Sequence, residues 1–388
     1  MAQPDWTRGD LTHELQVDMV DPFNLTTVRG QLNGVRRAGS LNLDYYSDTR
    51  MAASIETFVT GNKDNWDGSS ALRLIHVVSD YTGELWRETL GTLYVMDPPK
   101  KQEETGGMTT TYQLSSVLKG IEVSVMAYGK TINKGASILA ATKKMVTDCY
   151  RNVRVDGTEN DKKASAAIKY EAGANFLHGI HDSANSCGNY VSVDPNGIVT
   201  ITGYVAPSRK APSFYTVAED SRTMFIGPWE YEDNIVTLPE RAIVSARGKV
   251  KVADGTYQKA GTRSDGTSYK KGDTKYKEVD KTITGIAQVS GGSASSHQTR
   301  GFWRDDFRSV SDMSPFTQAK ADSLAKTYLN NDLVFEANAS HSLMYRPLRE
   351  GQVESLTVNG ETRRWQIASA TLDLSTWVWK LDLKGGWK

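Results

Sequence analysis

The C-terminal part of this 388-residue chain contains an Asn359-Gly360 pair, the sequence feature that most constrains its fold. An Asn-Gly pair between two alternating runs is the strongest short-range signal for a β-hairpin, because both turn positions need a positive φ. The residues that alternate before the pair are Glu354, Leu356 and Val358, and the segment that returns after it is Arg364 to Ile367. The sequence therefore predicts closely spaced antiparallel strands at this end of the chain.

Two tryptophans mark the last predicted strand. Trp377 and Trp379 fall on the same strand face as Leu381 and Leu383. Large aromatic side chains bury much apolar surface at such positions, so we interpret both indoles as packing against the core or against another subunit. The alternative is a sugar-binding platform formed by the tryptophan-rich end of the chain. The tryptophans in question are Trp365, Trp377, Trp379 and Trp387.

A helix over residues 315–329 is predicted before these strands. Ser314 suits the N-cap position and Pro315 suits the first helical position. Apolar residues then recur near helical spacing. They are Phe316, Ala319, Leu324 and Tyr328.

The periodicity of the chain divides it into three regions. Residues 1–118 contain six or so alternating runs separated by turns, a pattern typical of an antiparallel barrel or sandwich. Residues 119–203 contain two amphipathic helices and a short hairpin, which predict a small α/β module. Residues 204–388 return to strand patterns. We therefore predict a mainly β fold with an α+β insertion.

Residues 249–296 form a polar insertion in the third region, rich in Gly, Ser, Lys and Asp. Some alternation persists from Lys275 to Val289, which predicts a long hairpin whose base pairs with the C-terminal strands and whose tip lies near Ser264 to Gly272. Basic residues outnumber acidic ones, and interleaved tyrosines would also permit nucleic-acid or glycan binding. These tyrosines are Tyr257, Tyr269 and Tyr276. The plain interpretation of the stretch is a solvated, self-repelling hairpin or loop; we propose in addition that its tip contacts a partner protein, the alternative being a tether that acts only as a spacer. The three tyrosines, with Trp377 and Trp379, are candidate interface residues.

No group of residues in the sequence predicts catalysis or cofactor binding. There is no Gly-x-Ser-x-Gly motif, and carboxylate pairs such as Asp305-Asp306 lie in polar stretches. His178, His181 and Cys187 are residue types that bind zinc. However, Cys187 shares an apolar helical face from which His178 points away, and no fourth ligand is near in sequence. We predict no enzyme activity, no catalytic residue, no metal site and no cofactor.

Composition and charge exclude several classes of protein. The 46 basic residues balance 46 acidic residues, so there is no overall basic surface for nucleic acid. The longest apolar runs are shorter than the ~18 residues of a membrane helix, and the N-terminus lacks the apolar stretch of a signal peptide. Two cysteines cannot form a disulfide framework. We therefore expect no membrane segment and synthesis in a reducing cytoplasm.

Several segments, in their order, resemble a known family. The helix TQAKADSLAKTYL is followed by LREGQVESLTVNG, RRWQIASATLDLST and WVWKLDL, and this series resembles the C-terminal module of phage tail hub proteins. The segments YEAGANFLHGIHDSANSCGNYVSVDPNGIVTITGYVAPSRKAP and NIVTLPERAIVSA are similar to passages of the same family. The resemblance covers about half of the chain.

The resemblance to tail hubs implies an architecture and a set of partners. Hubs have two tube-type antiparallel β-barrel modules, which here would be residues 1–118 and 204–388, flanking the α/β module at 119–203. Three copies would form a homotrimer with a pseudo-sixfold ring at the distal end of the tail of the virion. The implied partners are the distal tail or tail tube protein, the tape-measure protein and a tip or receptor-binding protein, with phage DNA passing through the channel.

Two alternative functions remain open from the sequence. One is a hexameric distal tail ring protein, whose usual C-terminal sandwich has no counterpart of the predicted helix at 315–329. The other is a carbohydrate-binding or cell-wall-degrading tail-tip protein, which the content of tryptophan and tyrosine suggests.

Overall fold

A computed structural model shows a mainly β protein with a few short helices. The described residues are 4–6, 8–60, 65–155, 160–164, 167–207, 210, 216–218, 225–233, 238–262, 267–289, 303–310, 316–333 and 337–387. The chain forms two compact units, residues 1–232 with 337–388 as unit 1, and residues 233–336 as unit 2. The predicted mainly β fold with a small helical part is confirmed.

The N-terminal region forms eight strands. These are β1 (Thr12–Val20), β2 (Val28–Gln31), β3 (Val35–Asp44), β4 (Met51–Val59), β5 (Ala71–Asp80), β6 (Gly83–Val95), β7 (Lys100–Glu104) and β8 (Gly107–Ser115). Along β4 every second residue from Met51 to Val59 is buried, so one face of this strand packs against the core. The sequence predicted six or so strands here and did not predict two short ones. These are β2, which has four residues, and β7, whose five residues are all exposed.

The next segment supplies a second core. Its elements are α1 (Val117–Glu122), β9 (Lys130–Ile132), α2 (Ile138–Cys149), β10 (Val153–Val155), β11 (Ile168–Tyr170), α3 (Phe176–Ser186), β12 (Asn189–Val193) and β13 (Val199–Gly203). Helices α2 and α3 begin at side-chain caps, with Ser137 accepting from the Ala140 N–H and Asn175 from the His178 N–H. The buried cluster runs from Val117 to Ile201. This stretch belongs to unit 1.

Arg50 connects the N-terminal strands with this helical segment. Its guanidinium donates to the carbonyl of Tyr45 and, over 3.2 Å, to the carbonyl of Val191. It also lies 4.3 Å from the ring centroid of Tyr190, a cation–π contact. The connection is buried, because Arg50 is 7% exposed.

Two strands, β14 (Thr216–Ala218) and β15 (Phe225–Asp233), lead into unit 2. Unit 2 contains β16 (Arg241–Thr256), β17 (Gly261–Thr262), β18 (Ser268–Tyr269), β19 (Thr274–Gln288), β20 (Asp305–Val310) and α4 (Gln318–Leu333). Strands β16 and β19 form a long antiparallel hairpin, and β20 lies parallel to β16. Helix α4 covers one face of this sheet, so closely that a Cβ at Gly285 would collide with the backbone of Ala321.

The long hairpin predicted in the insertion is therefore present, but its base pairs differently from the prediction. It pairs with β20 inside unit 2, not with the C-terminal strands. The predicted helix at 315–329 is observed as Gln318–Leu333, also in unit 2. The proposed start at Ser314-Pro315 and the hairpin residues 263–266 lie outside the described residues. Local alternation predicted the hairpin, but the choice of its third strand depends on distant residues.

The chain ends with four strands, β21 (Ala337–Met344), β22 (Val353–Val358), β23 (Glu361–Asp373) and β24 (Val378–Trp387). The Asn359-Gly360 turn joins β22 to β23, and both residues have a positive φ, of 52° and 78°. The predicted hairpin is thereby confirmed.

Trp377 lies outside the strand to which the sequence assigned it. Strand β23 ends at Asp373, whose carboxylate accepts the N–H groups of Ser375 and Thr376. Trp377 then has a positive φ of 57° in the turn, and β24 begins at Val378. Trp379, Leu381 and Leu383 do share the buried face of β24. The turn directs the Trp377 indole inward, as a position in the strand would. The apolar alternation in the sequence therefore extends past the true start of β24.

The N-terminal and C-terminal strands form one sheet. Strand β3 pairs with β23 from Ser40↔Asp373 to Asp44↔Ser369, and this pairing joins fourteen strands. Their main order is β15-β21-β24-β23-β3-β4-β8-β6-β5-β1-β2. No closed barrel is detected among the described residues, and both of the predicted tube-type modules contribute strands to this sheet. Both parts contribute to a single hydrophobic core.

Candidate functional site

Trp377 lies at the centre of a buried cluster that joins the two ends of the chain. Its indole is 3% exposed and stacks on His76 of β5, with ring centroids 3.9 Å apart. Tyr345, which follows β21, packs edge-on against the same imidazole at 4.0 Å. Trp6 also contacts His76, at 6.3 Å. The cluster therefore ties N-terminal strands to the C-terminal region.

Two histidines face each other inside this cluster. The Nδ1 atom of His13 lies 2.9 Å from the Nε2 atom of His76. Burial, and to a smaller extent the charge of the neighbouring His13, together lower the pKa of His76 to about 2. Burial and the charge of Arg37 lower the pKa of His13 as well. The neutral form of both imidazoles is therefore favoured in the folded protein.

An ion pair between Glu88 and Arg349 adds to this connection between the N-terminal and C-terminal strands. Glu88 of β6 accepts a hydrogen bond from the Tyr345 hydroxyl at 2.7 Å and another from the Arg349 guanidinium at 3.1 Å. Arg349 also donates to the carbonyl of Thr89. The junction thus holds residues of β6 against the segment that follows β21.

Trp379 is buried beside Tyr345, with ring centroids 6.2 Å apart. It is 1% exposed, and its Nε1 donates to the carbonyl of Arg346 at 2.9 Å. Both candidate tryptophans, Trp377 and Trp379, therefore face the core of this chain, and neither presents its ring to a ligand as a sugar platform would.

A buried histidine–carboxylate pair lies further along the C-terminal strands. Nε2 of His341 on β21 is 2.8 Å from Oε1 of Glu354 on β22, and both side chains are almost fully buried. Burial alone would lower the pKa of His341, but the hydrogen bond and the charge of Glu354 outweigh burial and raise it. This pair is internal and has no access for a substrate.

The three candidate tyrosines of the insertion do not form one surface. Tyr257 stacks on Tyr269, with ring centroids 3.7 Å apart, near the end of the hairpin. Tyr276 lies on β19 opposite Ala253 and is 55% exposed. The structure therefore brings two of them together and leaves the third exposed on the strand.

The histidines and the cysteine considered as zinc ligands differ in their exposure to solvent. Cys187 follows α3 and is 1% exposed, so the predicted burial of this thiol is confirmed. His178 is exposed, and the Nε2 atom of His181 faces the carbonyl of Asp48 at 3.4 Å. Among the residues that the structure describes, no group of three His, Cys, Asp or Glu side chains could hold a metal ion.

Two cavities lie beside Tyr231 of β15, with side chains from opposite faces of the strand, and we refer to them together as the Tyr231 cleft. The larger, of about 450 Å³, lies over β15, β21 and β24. Its polar side chains are Glu230, Glu232, Asn338, Ser340, Asp382 and Lys384. The smaller, of about 230 Å³, lies against the β22–β23 hairpin and contains Trp229, Trp365 and Arg363. Tyr231 lines both.

Comparison with solved structures identifies the fold. The tail protein from Neisseria meningitidis matches with a TM-score of 0.63 and 12% identity, over 96% of each chain. The 43 kDa tail protein of prophage MuSo2 from Shewanella oneidensis matches at 0.58 and 10% identity, over 96% of this chain and 98% of that one. The chain has the fold of phage tail proteins. Prophage tail protein gp18 from Listeria monocytogenes is a third such match, with a TM-score of 0.52 and 9% identity, over 96% of this chain and 94% of that one.

The likeness to these tail proteins is structural and not visible at the level of sequence statistics. No family model matches the sequence, and no curated protein matches it. Within the described part of the chain, no helix has the length and apolar character needed to cross a membrane.

Sequence reasoning missed the residues of the Tyr231 cleft. The signal that could have found them is the segment Pro228 to Glu232, in which two aromatic residues alternate with two glutamates. In a strand this alternation sends Trp229 and Tyr231 to one face and the glutamates to the other. The partners of these residues, on β21 to β24, are more than a hundred residues away in sequence and could not be inferred.

Proposed function

We propose that this chain is a tail hub, a structural virion protein that closes the distal end of a phage tail tube. The observation that carries the proposal is the fold, shared with phage tail proteins over 96% of both chains in the match of highest TM-score given above. The order of sequence segments that resemble hubs supports the same role independently.

The proposed assembly is a homotrimer. Each chain contributes two strand-rich regions, β1–β8 and β21–β24, joined edge to edge by the β3–β23 pairing. Three chains would thus present six strand-rich regions in a closed ring, which adapts a sixfold tube to a threefold tip. The partners we propose are the distal tail or tube protein, the tape-measure protein and a tip or receptor-binding protein. Phage DNA would pass through the central channel.

The role proposed is structural and not enzymatic. The buried polar groups of unit 1, such as the His13–His76 and His341–Glu354 pairs, lie inside cores. Their geometry supports packing between strands. An increase in reducing sugar when the purified chain is incubated with host cell walls would contradict this part of the proposal.

Native mass spectrometry across a range of concentrations tests the assembly. A hub is expected to give a mass of three chains, alone or after addition of the neighbouring tube protein. A stable hexamer would contradict the hub and favour a distal tail ring. Helix α4, at Gln318–Leu333, supports the hub, because the usual C-terminal sandwich of distal ring proteins lacks such a helix.

A further inference from the structure

We propose that Glu350 is a proton-controlled latch between the segment that joins β21 to β22 and the α/β module, residues 119–203. The latch is closed while the Glu350 carboxyl is neutral, and it loosens when this carboxyl loses its proton. The inference concerns a conformational device within unit 1 and does not depend on the proposed role as a tail hub. It rests on the place of Glu350 at a packed seam and on the partners of the charges around it.

Glu350 lies at a seam where aromatic rings of the two parts meet. Tyr45, which follows β3, stacks on Tyr190 of β12, with ring centroids 4.8 Å apart. Gly351 packs so closely on Tyr45 that an added Cβ would collide with that ring. Burial mainly, with a smaller contribution from the charge of Glu350, raises the pKa of both tyrosines. The carboxyl is therefore close to the contact that joins β12 to the strands.

One oxygen of the Glu350 carboxyl is buried without a partner. Its Oε2 atom is shielded from solvent and has no hydrogen-bond partner among the residues that the structure describes. An unpaired carboxylate costs far more to bury than the neutral acid does, because the charge loses its hydration. The closed seam therefore favours the protonated form of Glu350.

The cations near Glu350 are engaged with other groups. Arg50 donates to two backbone carbonyls, one on each side of the seam. Arg349 donates to a carboxylate of β6, and Lys210 donates over 3.0 Å to the backbone carbonyl that follows Glu350. Asp44 is close enough to add a like charge. In the described part of the chain Glu350 forms no ion pair that would stabilise its ionised form.

The direction of the pH dependence follows from this environment. Burial raises the pKa of Glu350, although its own N–H and the charges of Arg349 and Arg50 act in the opposite direction. In the unfolded chain the pKa of a glutamate is about 4.3. The stability that Glu350 contributes is therefore fully present below about pH 4.3 and is lost as the pH rises towards the raised pKa of the folded state.

Loosening of the seam is the response that relieves an ionised Glu350. Separation of Tyr190 from Tyr45 would admit water to the carboxylate and would release Arg50 from the carbonyl of Val191. The α/β module has a hydrophobic core of its own, so this separation does not require the module to unfold. Local openings of this kind occur well below the free energy of global unfolding.

The experiment compares wild type with Glu350→Gln in the full chain, by hydrogen exchange and mass spectrometry from pH 5.5 to pH 9. Glutamine has the shape of the neutral acid but cannot ionise. Protection of the β12 amides, corrected for the intrinsic exchange rate, should fall in wild type by up to about tenfold per pH unit between the pKa of the open seam and that of the closed seam. In Glu350→Gln this fall should be absent.

Other titratable groups at the seam are retained in the variant. His181 of α3 faces the carbonyl of Asp48, and burial lowers its pKa. Burial lowers the pKa of Lys210 as well. Because both groups are present in wild type and in Glu350→Gln, the difference between the two proteins isolates Glu350. Glu171→Gln, which changes an exposed carboxyl of the same module, is the matched control and should keep the wild-type pH dependence.

An infrared titration of wild type tests the latch without any variant, even if Glu350→Gln fails to fold. The C=O band of a protonated carboxyl should be present at pH 6 and should disappear as the pH rises. Absence of this band at pH 6, or equal pH dependence of β12 exchange in wild type and Glu350→Gln, would overturn the proposal. So would an effect of Glu350→Gln on global unfolding alone, because Glu350 would then affect stability without controlling the seam.

Discussion

The buried imidazole of His76 should make the folded protein sensitive to acid. In the unfolded chain the pKa of a histidine is about 6.5, whereas burial keeps the pKa of His76 at about 2 in the folded protein. The unfolded state therefore takes up a proton first as the pH falls. The stability that His76 contributes is fully present above pH 6.5 and is lost progressively below it, down to the pKa of the folded state.

The size of this effect follows from the separation of the two pKa values. Each pH unit below 6.5 costs about 1.4 kcal/mol of unfolding free energy for one such group. At pH 4.5 the loss is therefore about 2–3 kcal/mol relative to neutral pH, a large fraction of typical domain stability. The groups around the imidazole cannot compensate, because His13, Trp6, Tyr345 and Trp377 include no carboxylate.

Urea denaturation at several pH values between 7.5 and 4.5 measures this dependence, with His76→Phe as the test variant. Phenylalanine keeps an aromatic ring against Trp377 but cannot be protonated. Its unfolding free energy should fall less steeply with pH than that of wild type, by about 1.4 kcal/mol per unit. The control is His178→Asn at an exposed site, which should keep the wild-type slope. Equal slopes for wild type and His76→Phe would refute the reasoning.

Three further predictions concern stability and assembly. Trp377→Ala and Trp379→Ala should each lower the unfolding free energy by roughly 3–5 kcal/mol, because both indoles are buried, and thermal melts that barely change would show that they are not core residues. Glu354→Gln should cost about 1.5–3 kcal/mol, because it replaces a hydrogen bond to a charged carboxylate by a neutral one. Because the pKa of His341 is raised, the deficit relative to wild type should be larger at pH 6 than at pH 8 in denaturation curves, and a deficit independent of pH would contradict this. Replacing the segment between Lys259 and Tyr276 with a Gly-Ser bridge should leave the melting temperature nearly unchanged, since loop closure depends weakly on length. The same change should impair docking of the next tail component, and normal assembly of infectious tails would show that the tip has no partner.

The local sequence determined those features whose physical cause lies within a few residues. Asn359-Gly360 determined the β22–β23 turn, because both residues accept a positive φ. The alternation in β4 and the caps of α2 and α3 likewise depend on nearby side chains. The burial of Cys187 followed from its place on an apolar helical face. The order of motifs along the chain also predicted a relation to tail proteins that sequence identities of 9–12% hardly reveal.

Only the tertiary structure decided which distant strands meet. The pairing of β3 with β23 joins residues more than three hundred positions apart, and any exposed strand edge offers the same backbone donors and acceptors, so sequence could not select this partner. The same holds for the stacking of His76 on Trp377, and for the return of β20 to β16 in unit 2. The Tyr231 cleft exists because β15 is placed beside β21, with β24 and the β22–β23 hairpin close by. The sequence of β15 alone shows only an alternation of aromatic and acidic residues. Side-chain periodicity specifies which face of a strand is buried, whereas the identity of the neighbouring strand is set by the packing of the whole core.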